Sequence, residues 1–320
     1  MNEVIKKLYR IGIVPVIAID DPEKAVPLAK ALVKGGLPAA EVTFRTAAAE
    51  EAIKAMIKNV PEMCVGAGTV LTKDQADRAM AAGCEFLVSP GFNPEITKYV
   101  LDKGGVMCPG TATPGEMEQA MAMGLDVVKF FPAEQNGGIE KLKALAGPYH
   151  DLMWMPTGGV NTKNLSSYLN FDQIVACGGT WMVKKDLIEG EQWDKITSIC
   201  QDAVKTMLNL NLKHIGINEA DEGAALSTAK AIAGLLGLPV KDNGSSFYAG
   251  SIAEVKKSPA RGTHGHIGIG CSNVDRAEYH LSRQGVEFDE SSRQTDAKGR
   301  TTLIYMKGEI GGFAFHLTKN

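Results

Sequence analysis

The sequence has no Cys-x-x-Cys pair, no sizeable excess of either charge and no apolar run long enough to cross a bilayer. Each absence removes a class of function. Six cysteines (64, 84, 108, 177, 200 and 271) without paired spacing exclude a disulfide framework or a zinc ribbon and read as buried thiols of a reducing compartment. A formal net charge of −3 gives no basic field, so neither nucleic acid nor an acidic membrane surface is expected as a partner. The apolar run 11–19 is broken by Pro15, ends in Asp20-Asp21 and carries no small-residue cleavage site, so it is not read as a signal peptide. The expected home is the cytoplasm.

At 320 residues and 44% hydrophobic composition, the chain is sized for two packed domains. Up to about residue 205, short apolar runs alternate with stretches of helical spacing. The runs are 13–19, 40–44, 63–67, 86–89, 106–108, 127–131, 152–156 and 174–177. The helical stretches are 23–34, 47–58, 73–82, 94–103, 114–123, 138–145, 162–169 and 185–205. Continuous apolar runs suit parallel strands covered on both faces. Eight such units predict an α/β domain, a (β/α)8 TIM barrel over residues 1–207, against the alternative of an open doubly wound sheet.

Beyond Met207 the texture changes. His214-Ile215-Gly216-Ile217 recurs 52 residues later as His266-Ile267-Gly268-Ile269. A helical segment and further strand-like sequence follow each copy. This predicts a smaller α+β domain, 208–320, of two β-α-β-β-β modules. No Gly/Ser/Pro-rich linker separates the halves.

In a barrel, the reactive groups sit at the C-terminal ends of the strands. Lys129 lies inside the apolar run Val127-Val128-Lys129-Phe130-Phe131. Lost hydration there favours the neutral amine, the form that attacks a ketone to give a Schiff base. Taken alone, Lys129 is better read as an outer-face lysine with its head in water. Glu41, also within an apolar strand, shifts that balance, because a buried carboxylate needs a partner or a task. It could move protons on and off the imine. An ionised Glu41 would also hold Lys129 as ammonium, so either desolvation wins or Glu41 stands off at water-mediated distance. A purely structural ion pair of Glu41 with Lys129 or Arg45 is the competing reading. The Gly-Gly pairs after strands seven and eight, Thr157-Gly158-Gly159 and Gly178-Gly179-Thr180, suit an anion held by backbone amides. Arg45 could grip a substrate carboxylate.

Together, segments 41–46, 65–70, 128–134, 156–160 and 178–181 resemble the KDPG / 4-hydroxy-2-oxoglutarate aldolase family, with Lys-Phe-Phe-Pro-Ala-Glu the most specific. The resemblance covers roughly residues 1–205. It implies a class I (Schiff-base) aldolase that needs no cofactor and is usually a homotrimer. Its chemistry would be reversible cleavage of a phosphorylated keto acid, 2-keto-3-deoxy-6-phosphogluconate (KDPG), to pyruvate and glyceraldehyde 3-phosphate. The alternative is 4-hydroxy-2-oxoglutarate, which gives pyruvate and glyoxylate. By position, Lys129 matches the imine lysine and Glu41 the acid/base. Arg45, Thr69 and Phe131 match the pyruvyl pocket, and Thr157, Gly158, Gly159, Gly178 and Gly179 the carboxylate and phosphate contacts. Thr180 stands where many members have Ser, keeping the hydroxyl.

The repeated half resembles the vicinal oxygen chelate (glyoxalase-like) superfamily. That resemblance places His214, Glu254, His266 and His316 at candidate divalent-metal positions, although a glutamate is the commoner residue where His316 stands. Histidines with a carboxylate suit Zn, Fe, Ni or Mn. A non-catalytic binding or oligomerisation module is the competing reading for this half.

Overall fold

The computed structural model describes all 320 residues and divides the chain into two compact units, Met1–Met207 and Leu208–Asn320. In the first, parallel strands alternate with helices. They are β1 (Ile13–Ile17), β2 (Ala39–Thr43), β3 (Cys64–Gly68), β4 (Phe86–Val88), β5 (Met107–Cys108), β6 (Gly110–Thr111), β7 (Val127–Phe130), β8 (Met153–Pro156) and β9 (Cys177–Gly179). One sheet runs β5-β4-β3-β2-β1-β9 and a second β6-β7-β8. β5 and β6 are parted by Pro109, which has no N–H to give to a ladder. Parallel bridges Trp154↔Ile174 and Thr157↔Gly178 join the β8 segment to the β9 segment, so neighbours follow one another around a ring.

Seven of the eight apolar runs form strands at or close to their expected places, because residues buried on both faces read as unbroken hydrophobic stretches. The eighth, expected over 174–177, makes only an isolated bridge at Ile174, and its strand starts at Cys177 and runs to Gly179. The helices depart from expectation in three places. The stretch expected as one helix over 185–205 is two, Lys185–Glu189 and Trp193–Leu208, parted where Glu191 takes a left-handed φ of 50°. The helix expected over 162–169 is shortened to Leu165–Leu169. Asn161 and Asn164 use their side chains to cap turn amides ahead of it. Glu3–Ile11, capped by Asn2 and ended by left-handed Gly12, is a helix the strand–helix count had not included.

All six cysteines are free. Burial pushes the thiols of Cys64, Cys84, Cys108, Cys200 and Cys271 up to about 12, and Cys177 is fully buried. Thiolate is the reactive form. Native protein at pH 8 should therefore resist iodoacetamide at every cysteine, while denatured protein takes up six equivalents. Rapid native alkylation at any of them, read by intact mass, would contradict this packing. No helix is long and apolar enough to cross a membrane.

The second unit is a single eight-stranded sheet. Its strands are β10 (Asn211–Asn218), β11 (Val240–Asp242), β12 (Ser246–Ala249), β13 (Ala253–Lys256), β14 (Gly265–Cys271), β15 (Phe288–Thr295), β16 (Thr301–Ile310) and β17 (Phe313–Lys319). The order is β11-β12-β13-β10-β14-β17-β16-β15, with helices Glu222–Leu236 and Val274–Ser282 after β10 and β14. Each half is therefore one strand, one helix and three strands, and the halves meet along the antiparallel β10–β14 pair. Ala225 and Ala229 of the first helix pack on Phe247, Val255 and Ile217, covering one face of the sheet. Strand alternation turns His214 and Gly216 to the other face.

Candidate active site and candidate metal centre

Lys129, on β7, is 5% exposed and Glu41, on β2, is 1% exposed. Nζ of Lys129 donates to both carboxylate oxygens, at 3.1 and 3.4 Å. The side chain thus points inward, and the water-mediated stand-off entertained from the sequence gives way to direct contact. The physical reason lies at β3. A Cβ on Gly68 would stand 2.4 Å from Glu41 Oε1, so this glycine leaves the space that lets the carboxylate lie flat against the amine. The Phe131 ring centroid lies 5.2 Å from Nζ. Thr69, beside Gly68, holds a left-handed φ of 57°, a conformation costing about 1–3 kcal/mol at a non-glycine residue.

The amine opens on a cavity of about 320 Å³ lined by Glu41, Arg45, Thr69, Lys129, Phe131, Thr157, Gly158, Gly159, Gly179 and Thr180. Gly178 is the one expected residue outside the lining. It sits behind, where a Cβ would meet Thr157 Oγ1 at 2.3 Å, so its part is to make room. Val16, Thr43, Pro90 and Val160 complete the wall and carry no signal in the sequence. Arg45 rests its Nε on Thr43 Oγ1 at 3.3 Å and pairs with no carboxylate of the chain. Thr43 in turn donates to the Ile17 carbonyl at 2.9 Å, which fixes the prop.

Two features of the opposite wall ask for an anion. The Thr157 hydroxyl is buried without a hydrogen-bond partner, a state that costs free energy unless a ligand completes it. The backbone N–H groups of Gly159, Val160 and Thr180, all lining the cavity, donate to no group of the chain. Gly158 and Gly159 sit at φ 95° and 81°, which only glycine adopts freely, and this curls the loop into a cup. Tyr168 O–H donates to Glu134, whose side chain packs where a Cβ on Gly159 would be, bracing that loop from outside.

In the second unit the repeat explains itself through register. Ile215 faces Ile267 across the β10–β14 pair, so His214 stands opposite Gly268 and His266 opposite Gly216. A Cβ on Gly216 would lie 2.1 Å from the His266 ring, and one on Gly268 would lie 2.5 Å from the His214 ring. Each glycine of the His-Ile-Gly-Ile motif thus leaves room for the other copy's histidine. The outer strands extend both rows. Gly216 pairs with Glu254, which pairs with Tyr248; Gly268 pairs with His316, which pairs with Tyr305.

Three of the four candidate ligands, His214, His266 and His316, converge, and Glu254 reaches two of them. Nε2 of His214 lies 3.1 Å from Nε2 of His266 and 3.3 Å from Nε2 of His316. Glu254 Oε2 lies 3.2 Å from His266 Nε2 and 3.8 Å from His214 Nε2. Ligands at about 2.0–2.1 Å from a tetrahedral Zn²⁺ would be separated by roughly 3.3–3.4 Å, so the three imidazoles, whose ligand nitrogens all lie within 4.8 Å of one another, suit a divalent cation, and Glu254 would have to move inward to complete the set. Burial first, then the neighbouring imidazoles, lowers His316 to about 4, which leaves it neutral near pH 7, as a ligand must be. Burial likewise lowers His214. Glu254 is held below the usual carboxylate range by its hydrogen bonds to His266 and Ser246 and the nearby Lys256, against the opposing effect of its own burial. His266 Nδ1 is buried without a partner, so packing over Gly216, rather than an outer hydrogen bond, orients that ring.

Comparison with known proteins bears on the first unit. A 2-dehydro-3-deoxy-phosphogluconate aldolase of Haemophilus influenzae is 45% identical over 203 residues, which are 63% of this chain and 96% of that protein. The KHG/KDPG aldolase of Escherichia coli K12 is 42% identical over 193 residues, covering 60% of this chain and 91% of that one. Among solved structures, a KDPG aldolase of Legionella pneumophila with pyruvate captured as a covalent carbinolamine superposes with a TM-score of 0.61 at 36% identity, covering 62% of this chain and 97% of that one. The family profile described as KDPG and KHG aldolase matches residues 4–199, more than half of the sequence, and the chain belongs to that family.

Proposed function

We infer that the first unit, a (β/α)8 barrel of residues 1–207, is a class I aldolase that reversibly cleaves KDPG to pyruvate and glyceraldehyde 3-phosphate. The observation that carries this is the buried Lys129–Glu41 pair opening onto a cavity whose far wall offers unpaired amides and an unpaired hydroxyl.

Nζ of Lys129 attacks the C2 ketone, and the carbinolamine loses water to give a protonated imine. Glu41, in contact with that nitrogen, carries the protons these steps exchange. The C4 hydroxyl then loses its proton, the C3–C4 bond breaks and its electron pair flows into the imine, giving an enamine and free aldehyde. Protonation at C3 and hydrolysis of the imine release pyruvate, so the water lost earlier is regained. The imine is the electron sink, and the chemistry asks for no metal. Arg45 grips the keto-acid carboxylate as a free guanidinium, with Thr69 and Phe131 shaping the pyruvyl end. Thr157, Gly158, Gly159, Gly179 and Thr180 receive the phosphate, with Gly178 making space behind Thr157. That anion cup favours KDPG over the unphosphorylated 4-hydroxy-2-oxoglutarate. We read the protein as a cytoplasmic homotrimer, so light scattering should return about three times 34.1 kDa.

Borohydride added with pyruvate tests the reading. A reduced pyruvyl adduct should appear on the tryptic peptide containing Lys129 and nowhere else. A folded protein that acquires no adduct would refute imine chemistry in the barrel.

For residues 208–320 we propose a vicinal oxygen chelate type of unit that holds a divalent cation through His214, Glu254, His266 and His316. A cation there would serve as a Lewis acid toward an oxygen ligand. The convergence of three imidazoles, with the Glu254 carboxylate against His266, is the supporting observation.

A further inference from the structure

We propose that the metal face of the second unit takes a small oxyanion, a molecule bearing a carboxylate or phosphoryl group, bound between Lys213 and Lys241 beside His214. The inference rests on the metal reading above and adds the chemical class of the ligand and the residues that select it.

The cleft has a volume of about 430 Å³ and His214, alone of the four candidate ligands, forms part of its wall. Lys213 and Lys241 also line it, and no carboxylate does. Neither ammonium group makes a hydrogen bond or an ion pair with the rest of the chain. The nearest acid in sequence, Asp242, is already taken by Lys257 at 3.0 Å and by the Gly244 amide. Two uncompensated ammonium groups at one concave site favour an anion. Asn243, Ser251 and Thr318 add neutral donors to the same wall.

The backbone arranges this. Neighbouring residues of a regular strand face opposite ways, so Lys213 ought to point away from His214. The β10–β14 register shifts between Leu212 and His214, leaving Lys213 as an extra residue without a partner. A bulge of this kind re-aims a side chain, and here it brings the ammonium round to the histidine's cleft. The second module has Gly265 at the corresponding position, 52 residues on, and no such lysine.

The pseudo-symmetric end of the face is closed to anions. There Arg261 lies 4.7 Å from the Tyr305 ring centroid, and its guanidinium pairs with Asp289 at 2.7 Å. Its charge is spent. Tyr248, the counterpart of Tyr305, has no such cover and lines the open cleft. One end of a near-symmetric site is thus positive and open, the other neutralised and stacked.

The test uses the full chain loaded with Co²⁺, whose visible bands report only the metal centre and ignore anions bound in the barrel. The protein is titrated with pyruvate and, separately, with inorganic phosphate. At least one should shift the bands saturably, and in Lys213→Gln/Lys241→Gln the half-saturating concentration should rise roughly 10–100-fold while cobalt affinity is unchanged. A response to pyruvate alone assigns the cleft to carboxylates, and one to phosphate alone to phosphoryl groups. Stoichiometric cobalt with bands indifferent to both anions, or an equal response in the double variant, overturns the proposal and leaves the metal reading standing. A chain that takes up no cobalt ends both.

Discussion

Lys129→Ala should lower kcat/KM by roughly 10⁴-fold or more, because the nucleophile and the electron sink disappear together. The same substitution should also destabilise the fold. It leaves the Glu41 carboxylate, 1% exposed, without its counter-charge, and removing one partner of a buried pair typically costs about 3–5 kcal/mol. The two effects separate in the double variant Glu41→Gln/Lys129→Met. No charge is then left buried, so the urea midpoint should return most of the way to wild type while turnover stays absent. Glu41→Gln alone should slow turnover by about 10²–10⁴-fold, the usual worth of a positioned acid/base, yet still give the borohydride adduct on Lys129. A Lys129→Ala protein with measurable aldol cleavage would remove the mechanism. A Glu41→Gln protein of wild-type rate would reduce Glu41 to a structural counter-ion, the competing reading of its sequence position.

The second large effect concerns the metal face. Zinc added to chelator-treated protein should bind one equivalent through the second unit. Ligand present at 1,000 times its dissociation constant stabilises the state it binds by about 4.1 kcal/mol, provided the unfolded chain does not compete. Amide hydrogen exchange in β10, β13, β14 and β17, the strands that carry His214, Glu254, His266 and His316, should therefore slow by up to about 10³-fold. His214→Ala should weaken zinc by at least about 100-fold, since even loss of an outer partner costs 10–100-fold. Lys129→Ala should bind zinc as wild type does. Exchange in these strands that is blind to zinc, in protein with no stoichiometric metal, would make the three imidazoles a structural cluster and favour a non-catalytic module.

Much of the first unit is legible because its strands are continuous apolar runs, and a charged residue inside such a run stands out. Lys129 and Glu41 announce themselves in this way. Val16, Thr43, Pro90 and Val160 do not, because a hydrophobic, hydroxyl or proline side chain at a strand end looks the same whether it faces a cavity or a helix. Arg45 is visible as a charge, but its seat on Thr43 is not. In the second half, the repeat shows two modules and names two histidines. The reason for its glycines appears only when β10 and β14 are laid side by side.

Sequence by itself determined most of the local choices: where the majority of strands and helices fall, the 52-residue repeat, and which polar residues sit in apolar surroundings. These depend on periodicity and on the cost of burying charge, and both act along the chain. Tertiary structure alone decided that Glu41 meets Lys129 directly, 88 positions apart in sequence, because the space left at Gly68 belongs to a neighbouring strand. It also decided that Lys213 and His214 line one cleft, because a bulge is a mismatch between two strands and neither strand records it alone.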